Sequence, residues 1–235
     1  MSKKIKFYPV GGPNLNPPVT GNNMVPEWYK DTSQFFKSNN MKDFDVQNIT
    51  GLDQVSVSIK TCGPTFDAFT SGYYYVLEED VFVEIDEDGI PTLSWDSDVF
   101  MLIRTGNLEY PITSAYHPIS YAFRMLFGIK ADPGTSCLIT HPLNRYDLPF
   151  LTVSGIVDID ETTSPTDIRF VLKKGFEGKI PKGTPIFQLI PFTRESWEME
   201  IDPSIIDDET YENEKRRTML HSFYQKSLQH KKEYK

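Results

Sequence analysis

GIVDID at residues 155–160 and GKIPKGTPIFQLIPF at residues 178–192 are the segments that most strongly indicate the fold class of this chain. Each contains a run of strand-forming residues, and Gly183 permits a tight turn ahead of the longer run. We expect Gln188 to satisfy backbone groups where two strands separate. Three apolar side chains are placed to pack in a core: Ile186, Leu189 and Phe192. These features predict strands of one antiparallel β-domain.

Other strand-like segments surround these two stretches. In DVFVEI, residues 80–85, alternate apolar residues share one face, and DEDG at residues 86–89 is a good hairpin turn. PISYAFRMLFGIK, residues 118–130, fits either a strand or a short helix. Short strands at this spacing are typical of a mainly β fold, either a distorted antiparallel barrel or a jelly-roll-like sandwich. Further strands are predicted at residues 54–60, 72–77, 90–95, 134–144, 149–160, 167–174 and 183–192.

Composition divides the chain into three regions. Residues 1–50 are rich in Pro and Asn turns and predict an extended arm, with a short helical turn at residues 25–37. Residues 51–202 hold the predicted strands. Residues 203–235 predict a C-terminal amphipathic helix, because acids lead and lysines close the segment, as the helix dipole favours. Its apolar stripe, which docks either on the β-domain or on another subunit or protein, consists of Leu220, Phe223, Tyr224 and Leu228.

The composition excludes several classes of function. The chain of 235 residues has a formal net charge of −9, and an acidic surface disfavours duplex nucleic acid, which is bound by Lys and Arg. No segment approaches the roughly 18 apolar residues of a membrane span, and the N-terminus lacks the apolar core of a signal peptide. We therefore expect a soluble protein that is not secreted. Cys62 and Cys137 either form one disulfide or, as we expect, are free thiols.

Residues 137–192 resemble the barrel core that the trimeric dUTPases share with the dCTP deaminases. Gly155 to Asp158 align with a Gly-Val-Ile-Asp segment of these families, and residues 183–189 align with a later pattern that ends in Gln-Leu. The resemblance implies a dUTPase-like barrel. It also implies that Asp158 orients an attacking water as a general base and that Arg145 contacts a phosphate.

Several residues depart from the dUTPase pattern. Glu161 stands where these enzymes have a Tyr that meets the sugar, and no Ser follows Arg145. The predicted C-terminal helix takes the place of the Gly-rich segment that closes over the triphosphate. The deaminase alternative requires a catalytic Glu, for which Glu177 is the candidate. These departures favour a non-catalytic role and leave nucleotide hydrolysis or deamination as the alternative.

The loop THPLNRYD, residues 140–147, is rich in polar groups. Arg145 can grip a phosphate or a carboxylate with two hydrogen bonds. The alternative is a structural loop in which Asn144 and Asp147 make turn hydrogen bonds. The predicted ligand-binding residues are Arg145, Asn144, His141 and Gln188.

The acids that follow the second predicted strand also allow two interpretations. Asp158, Asp160 and Glu161 either bind a divalent cation through their oxygens or lie at a hydrated strand end. The histidines show no clustered spacing of the kind that metal sites use. We therefore predict neither a metal nor a cofactor.

Longer segments are similar to a family of uncharacterised tailed-phage proteins, among them residues 62–84 and 173–197. This resemblance implies a viral source, with the host cytoplasm or the virion as the location. We predict a phage-encoded accessory protein that acts by binding or assembly, as a homo-oligomer or with a protein partner on the C-terminal helix. The alternative is a pyrimidine-nucleotide-binding or hydrolysing enzyme of dUTPase or dCTP deaminase type, with Asp158 as base and Arg145 on the phosphate.

Overall fold

A computed structural model describes most of the chain, and its elements belong to two compact units. The first, which we call the β unit, comprises Met1–Met24, Ser71–Glu195 and Tyr234–Lys235. The second unit comprises Val25–Thr70 and Ser196–Glu233. The described residues are 3–10, 15–37, 55–96, 102–107, 114–162, 166–202, 207–219, 229–230 and 232–235.

The described elements are mostly short strands. In chain order the strands are β1 (Ile5–Pro9), β2 (Val19–Thr20), β3 (Phe35–Lys37), β4 (Val55–Val57), β5 (Tyr73–Val76), β6 (Val81–Ile85), β7 (Pro91–Ser94), β8 (Leu102–Asn107), β9 (Tyr116–Arg124), β10 (Phe127–Ala131), β11 (Thr135–Thr140), β12 (Phe150–Thr152), β13 (Gly155–Val157), β14 (Asp167–Lys173), β15 (Gly178–Ile180) and β16 (Pro185–Thr193). The α-helices are α1 (Glu27–Asp31), α2 (Gly63–Thr70) and α3 (Asp208–Met219). None of the described helices is long and apolar enough to cross a membrane.

Antiparallel pairing organises the described strands of the β unit into several sheets. A five-stranded sheet has the order β13-β11-β16-β5-β2, and a four-stranded sheet has the order β12-β14-β9-β8. β6 pairs with β15 and with β7, while β1 pairs with β10. The prediction of a mainly β fold is therefore confirmed, although the described strands do not close a barrel.

The alternation that predicted strands appears as a burial pattern in β6. Val81 and Val83 are buried, whereas Phe82 and Glu84 between them are exposed. The predicted hairpin turn follows, with Gly89 at a φ of +76°, in the left-handed region that favours glycine. The 118–130 segment, for which a helix was the alternative, lies in β9 and β10.

Aromatic rings from both large sheets share one buried core. Phe123 and Phe170 of the four-stranded sheet stack with ring centroids 3.8 Å apart. Tyr75 and Phe187 of the five-stranded sheet stack at 4.6 Å. Burying one such side chain stabilises the fold by about 1.5–3 kcal/mol, so these aromatic residues supply much of the stability of the core.

The second unit contains a helix that has no counterpart among the predicted elements. α2 begins at a Gly-Pro pair, and proline is tolerated in a first turn because the N–H that it lacks has no helical partner there. Phe69 of α2 is fully buried and meets Tyr29 of α1, with ring centroids 5.0 Å apart. The predicted helical turn in residues 25–37 is confirmed by α1, and the strand predicted at 54–60 is confirmed only over β4.

The C-terminal helix predicted for residues 203–235 is confirmed only over α3, because residues 229–230 and 232–235 are not helical. Asp207 caps its first turn, because its Oδ1 accepts a hydrogen bond from the Thr210 N–H at 2.9 Å. This bond and a second one from the Thr210 hydroxyl lower the pKa of Asp207. The apolar stripe of residues 220–228 lies outside the described residues, so its docking stays a prediction.

Candidate functional site

Gln188 organises the loop that follows β11. It lies on β16 opposite Thr140 and is fully buried. Its Oε1 accepts a hydrogen bond from the Leu143 N–H at 2.9 Å, and its Nε2 donates to the Ser71 carbonyl at 2.7 Å. The expectation that this amide satisfies backbone groups is confirmed. Because both ends of the amide are engaged inside the β unit, Gln188 positions the loop.

His141 begins the same loop and is also buried. The Thr152 N–H donates to its Nδ1 at 3.3 Å, which makes Nδ1 the acceptor and places the ring proton on Nε2. Nε2 then donates to the Arg145 carbonyl at 3.1 Å. Burial lowers the pKa of His141, so the ring is neutral near pH 7 and ties the loop to β12.

The Arg145 guanidinium is paired within the loop. Its Nε donates to both carboxylate oxygens of Asp147, at 2.9 and 3.2 Å, and its Nη2 donates to Oδ2 at 2.8 Å. Burial is the largest single influence on Asp147 and opposes its ionisation. The hydrogen bonds and charge of Arg145, with smaller contributions from the backbone and Lys173, together outweigh burial and lower the pKa of Asp147. A phosphate would therefore compete with Asp147 for this cation.

A cleft of about 470 Å³ opens beside this loop. Most of its wall is apolar, and its polar side chains include the hydroxyls of Thr140 and Ser154, which are hydrogen-bonded at 2.7 Å. Among the described residues, no Lys, Arg, Asp or Glu side chain lines it. The apolar wall is formed by Pro142, Leu143, Leu151, Val153 and Val171.

Two residues of the loop, Asn144 and Tyr146, also line the cleft. Asn144 has a φ of +60°, which Asn tolerates better than most residues. Tyr146 is 75% exposed. Lys173 donates to the Tyr146 carbonyl at 2.7 Å, so the loop that carries this ring is fixed from a second side. The ring is thus available for stacking at the cleft.

Asp158 and Asp160 belong to a separate cluster centred on Arg194. Arg194 Nη1 donates to Asp160 Oδ1 at 2.7 Å and Nη2 donates to Asp160 Oδ2 at 2.6 Å. The same carboxylate accepts the Gly134 N–H at 2.6 Å. These bonds, with that from Arg194 the strongest, hold the pKa of Asp160 far below its usual range. We call this cluster the Arg194 clasp.

Asp158 lies at the exposed side of the Arg194 clasp. Its Oδ1 accepts a hydrogen bond from the Ser136 hydroxyl at 2.6 Å and lies 3.2 Å from Arg194 Nη1. The Asp158 side chain is 56% exposed, whereas that of Asp160 is 5% exposed. Of the two acids in GIVDID, Asp160 is the one that the fold encloses, and Asp158 is the one that water reaches.

The structure does not bring Asp158 and Arg145 together. Asp158 follows β13 and bonds to Ser136 near the start of β11, whereas the Arg145 loop begins after the last residue of β11. At a rise of roughly 3.3 Å per residue, the two ends of β11 are on the order of 15 Å apart. Asp158 does not line the cleft.

The remaining candidates are also dispersed. The carboxylate of Glu177 accepts a hydrogen bond from the Ile85 N–H at 3.2 Å and does not line the cleft. In the part of the chain that the structure describes, no group of three or more His, Cys, Asp or Glu residues could hold a metal ion. Both cysteines are free thiols, with Cys137 buried.

Neither a family model nor a curated protein matches this chain.

Proposed function

We propose that this protein is a phage-encoded accessory protein that acts by binding, through a barrel-like or jelly-roll-like β domain, and not by catalysis. One observation carries the proposal: the candidate base Asp158 and the candidate phosphate contact Arg145 lie at opposite ends of β11. Each is also ion-paired inside the chain, Asp158 with Arg194 and Arg145 with Asp147. The two side chains therefore do not meet at one site where both could act on the same substrate.

The cleft beside the 140–147 loop is the binding site of this proposal. Its volume of about 470 Å³ falls within the range of small-molecule sites, roughly 300–1,000 Å³. An apolar wall with hydroxyls and one amide suits an uncharged ring that makes a few hydrogen bonds. A triphosphate would find no cationic side chain on the wall among the described residues. The exposed Tyr146 adds a surface on which a flat ring can stack.

The alternative is pyrimidine-nucleotide binding by the same loop. The observation that favours it is that the exposed Tyr146 directly follows Arg145 in the loop, because an aromatic ring can stack on a base while a guanidinium grips a phosphate. This alternative requires Arg145 to exchange Asp147 for the phosphate. It therefore predicts binding that depends on the phosphate, which the leading proposal does not.

A thermal-shift comparison separates the two proposals. The probes are uncharged rings, such as indole and thymine, and the triphosphates dUTP and dCTP. A ligand at ten times its dissociation constant raises the melting temperature of a domain of this size by about 3–6 °C. We expect a rise with at least one uncharged ring and none with the triphosphates at millimolar concentration.

Variants locate the binding in this experiment. Val153→Arg places a charge in the cleft and is expected to remove the rise. Ile156→Arg is the matched control, because Ile156 is 67% exposed on β13 and does not line the cleft. A rise with dUTP or dCTP that Arg145→Gln abolishes would support the nucleotide alternative instead. No rise with any probe, or a rise that both Arg variants leave intact, would contradict the proposed cleft function.

A further inference from the structure

The segment SWEMEID, residues 196–202, exposes its large apolar side chains. Trp197, Met199 and Ile201 are 88%, 85% and 77% exposed, respectively. The segment forms no helix or strand in the described structure. Glu198 and Glu200 occupy the positions between these apolar residues. In an extended chain successive side chains point to opposite sides, so this alternation gives one apolar face and one acidic face.

Such a pattern is typical of a β-strand that lacks its sheet. Single exposed apolar residues are ordinary on a protein surface, but a contiguous exposed set marks an interaction site. A Trp is also the residue type that most often dominates an interface when a partner buries it. The segment therefore needs a strand edge that offers an apolar face on one side and a positive face on the other.

The first strand of the β unit offers such an edge. β1 pairs with β10, and among the described residues it has no strand on its other side. Ile5 and Phe7 are partly buried and pack against the core. Lys4 and Lys6, which alternate with them, are exposed. The faces of β1 thus complement those of the 196–202 segment, apolar beside apolar and lysine beside glutamate.

Other pairings of the segment are less favourable. β13 also lies at the edge of its sheet and carries the exposed Ile156, but Asp158 and Glu161 follow it and would repel an acidic strand. Two copies of the segment paired with each other would place glutamates beside glutamates. Lysines on an edge strand disfavour pairing with most other strands. An acidic strand is the exception, because its glutamates attract the lysines.

We propose that residues 196–202 of one copy of this chain add as a strand to the edge of β1 in a second copy. Strand addition of this type derives affinity from main-chain hydrogen bonds and specificity from the alternating side chains. The proposal rests on these two surfaces alone and is independent of any ligand in the cleft. It gives the predicted homo-oligomer a specific contact outside the C-terminal helix.

Light scattering of the full chain after gel filtration tests this contact. We expect a mass above that of the monomer, and we expect Lys4→Glu/Lys6→Glu to raise the dissociation constant at least about tenfold, because two attractive pairs become repulsive. Glu198→Lys/Glu200→Lys should have the same effect. Mixing the two variants should restore the assembly, since each then presents the charge that the other lacks.

The matched control is Lys174→Glu/Lys182→Glu, which makes the same change of charge at exposed lysines outside β1. It should leave the mass unchanged, and circular dichroism melts should show all three variants folded. The proposal would be overturned if the wild-type chain still had the mass of a monomer when the measurement was repeated at 100 times the protein concentration. An assembly that neither β1 nor segment variant weakens, or two weakened variants that do not assemble when mixed, would also overturn it.

Discussion

Gly72→Ala is expected to destabilise the β unit by about 3 kcal/mol or more, or to prevent folding. Gly72 has a φ of +68°, and a Cβ placed there would lie 1.9 Å from the Leu189 carbonyl oxygen and 3.2 Å from Ile190 Cα. Those atoms belong to the backbone of β16, the central strand of the five-stranded sheet, so they cannot move aside without disturbing its pairing. Urea denaturation measures the loss.

Gly89→Ala is the matched control for this experiment. Gly89 has a similar φ of +76°, but a Cβ there would meet nothing within 4 Å. Only the cost of a left-handed backbone remains, about 1–2 kcal/mol. An equal loss of unfolding free energy in the two variants would mean that the close approach of Gly72 to the β16 backbone does not affect stability. That result would contradict the close packing of Gly72 against β16.

Asp160→Asn is expected to lower the melting temperature at pH 7 by much more than the removal of an exposed ion pair does. The carboxylate has a side-chain exposure of 5% and binds Arg194 through two hydrogen bonds, of 2.7 and 2.6 Å. Removing its charge leaves Arg194 without its main partner and weakens the junction between β13, β11 and β16. Asp167→Asn is the control, because Asp167 pairs with Arg124 at 3.3 Å where both side chains are over 40% exposed.

The effect of Asp160 should depend on pH in a defined direction. The folded state lowers the pKa of Asp160 below its ordinary value of 3.8. Its stabilisation is therefore fully present above about pH 5 and is lost as the pH falls toward the folded pKa, because the unfolded chain takes up the proton first. We expect the gap in melting temperature between wild type and Asp160→Asn to narrow below pH 4. A constant gap down to pH 2 would contradict the ion-pair explanation.

Local periodicity predicted most of the β unit. The alternation in residues 80–85 predicted β6, because one buried face imposes a period of two. The strand-forming run that ends in PIFQLIPF predicted β16, whose first five residues are all buried. Phe192, which was expected in the core, is 40% exposed. α2 could not be predicted in the same way. Its eight residues include a Gly and a Pro, and only the packing of Phe69 against Tyr29 shows why the segment is helical.

The candidate site was predictable in part. Residue types alone predicted that the 140–147 loop is a candidate binding loop and that Gln188 satisfies backbone groups. The separation of Asp158 from Arg145 did not, because it depends on which end of β11 each segment meets. Arg194 lies 34 positions from Asp160, and no local pattern links them. The register that pairs Thr135 with Thr193 brings them together, and a single sequence does not reveal a register between distant strands.

Glu161 follows Asp160 and is exposed. The resemblance to the dUTPases, which stays a proposal, predicts a tyrosine at this position. The acids of GIVDID therefore join strands in this chain, with Asp160 inside the clasp and Asp158 at its surface. That assignment underlies the proposal of a binding protein without catalysis.

Product analysis of dUTP and dCTP incubated with the full chain determines whether this protein is a catalyst. One chromatographic separation detects both the monophosphate of a hydrolase and the uracil nucleotide of a deaminase. We predict no product beyond the protein-free control, for wild type and for Asp158→Asn alike. Turnover by the wild-type chain that Asp158→Asn abolishes, with an unchanged melting temperature, would contradict the account and identify Asp158 as a catalytic base.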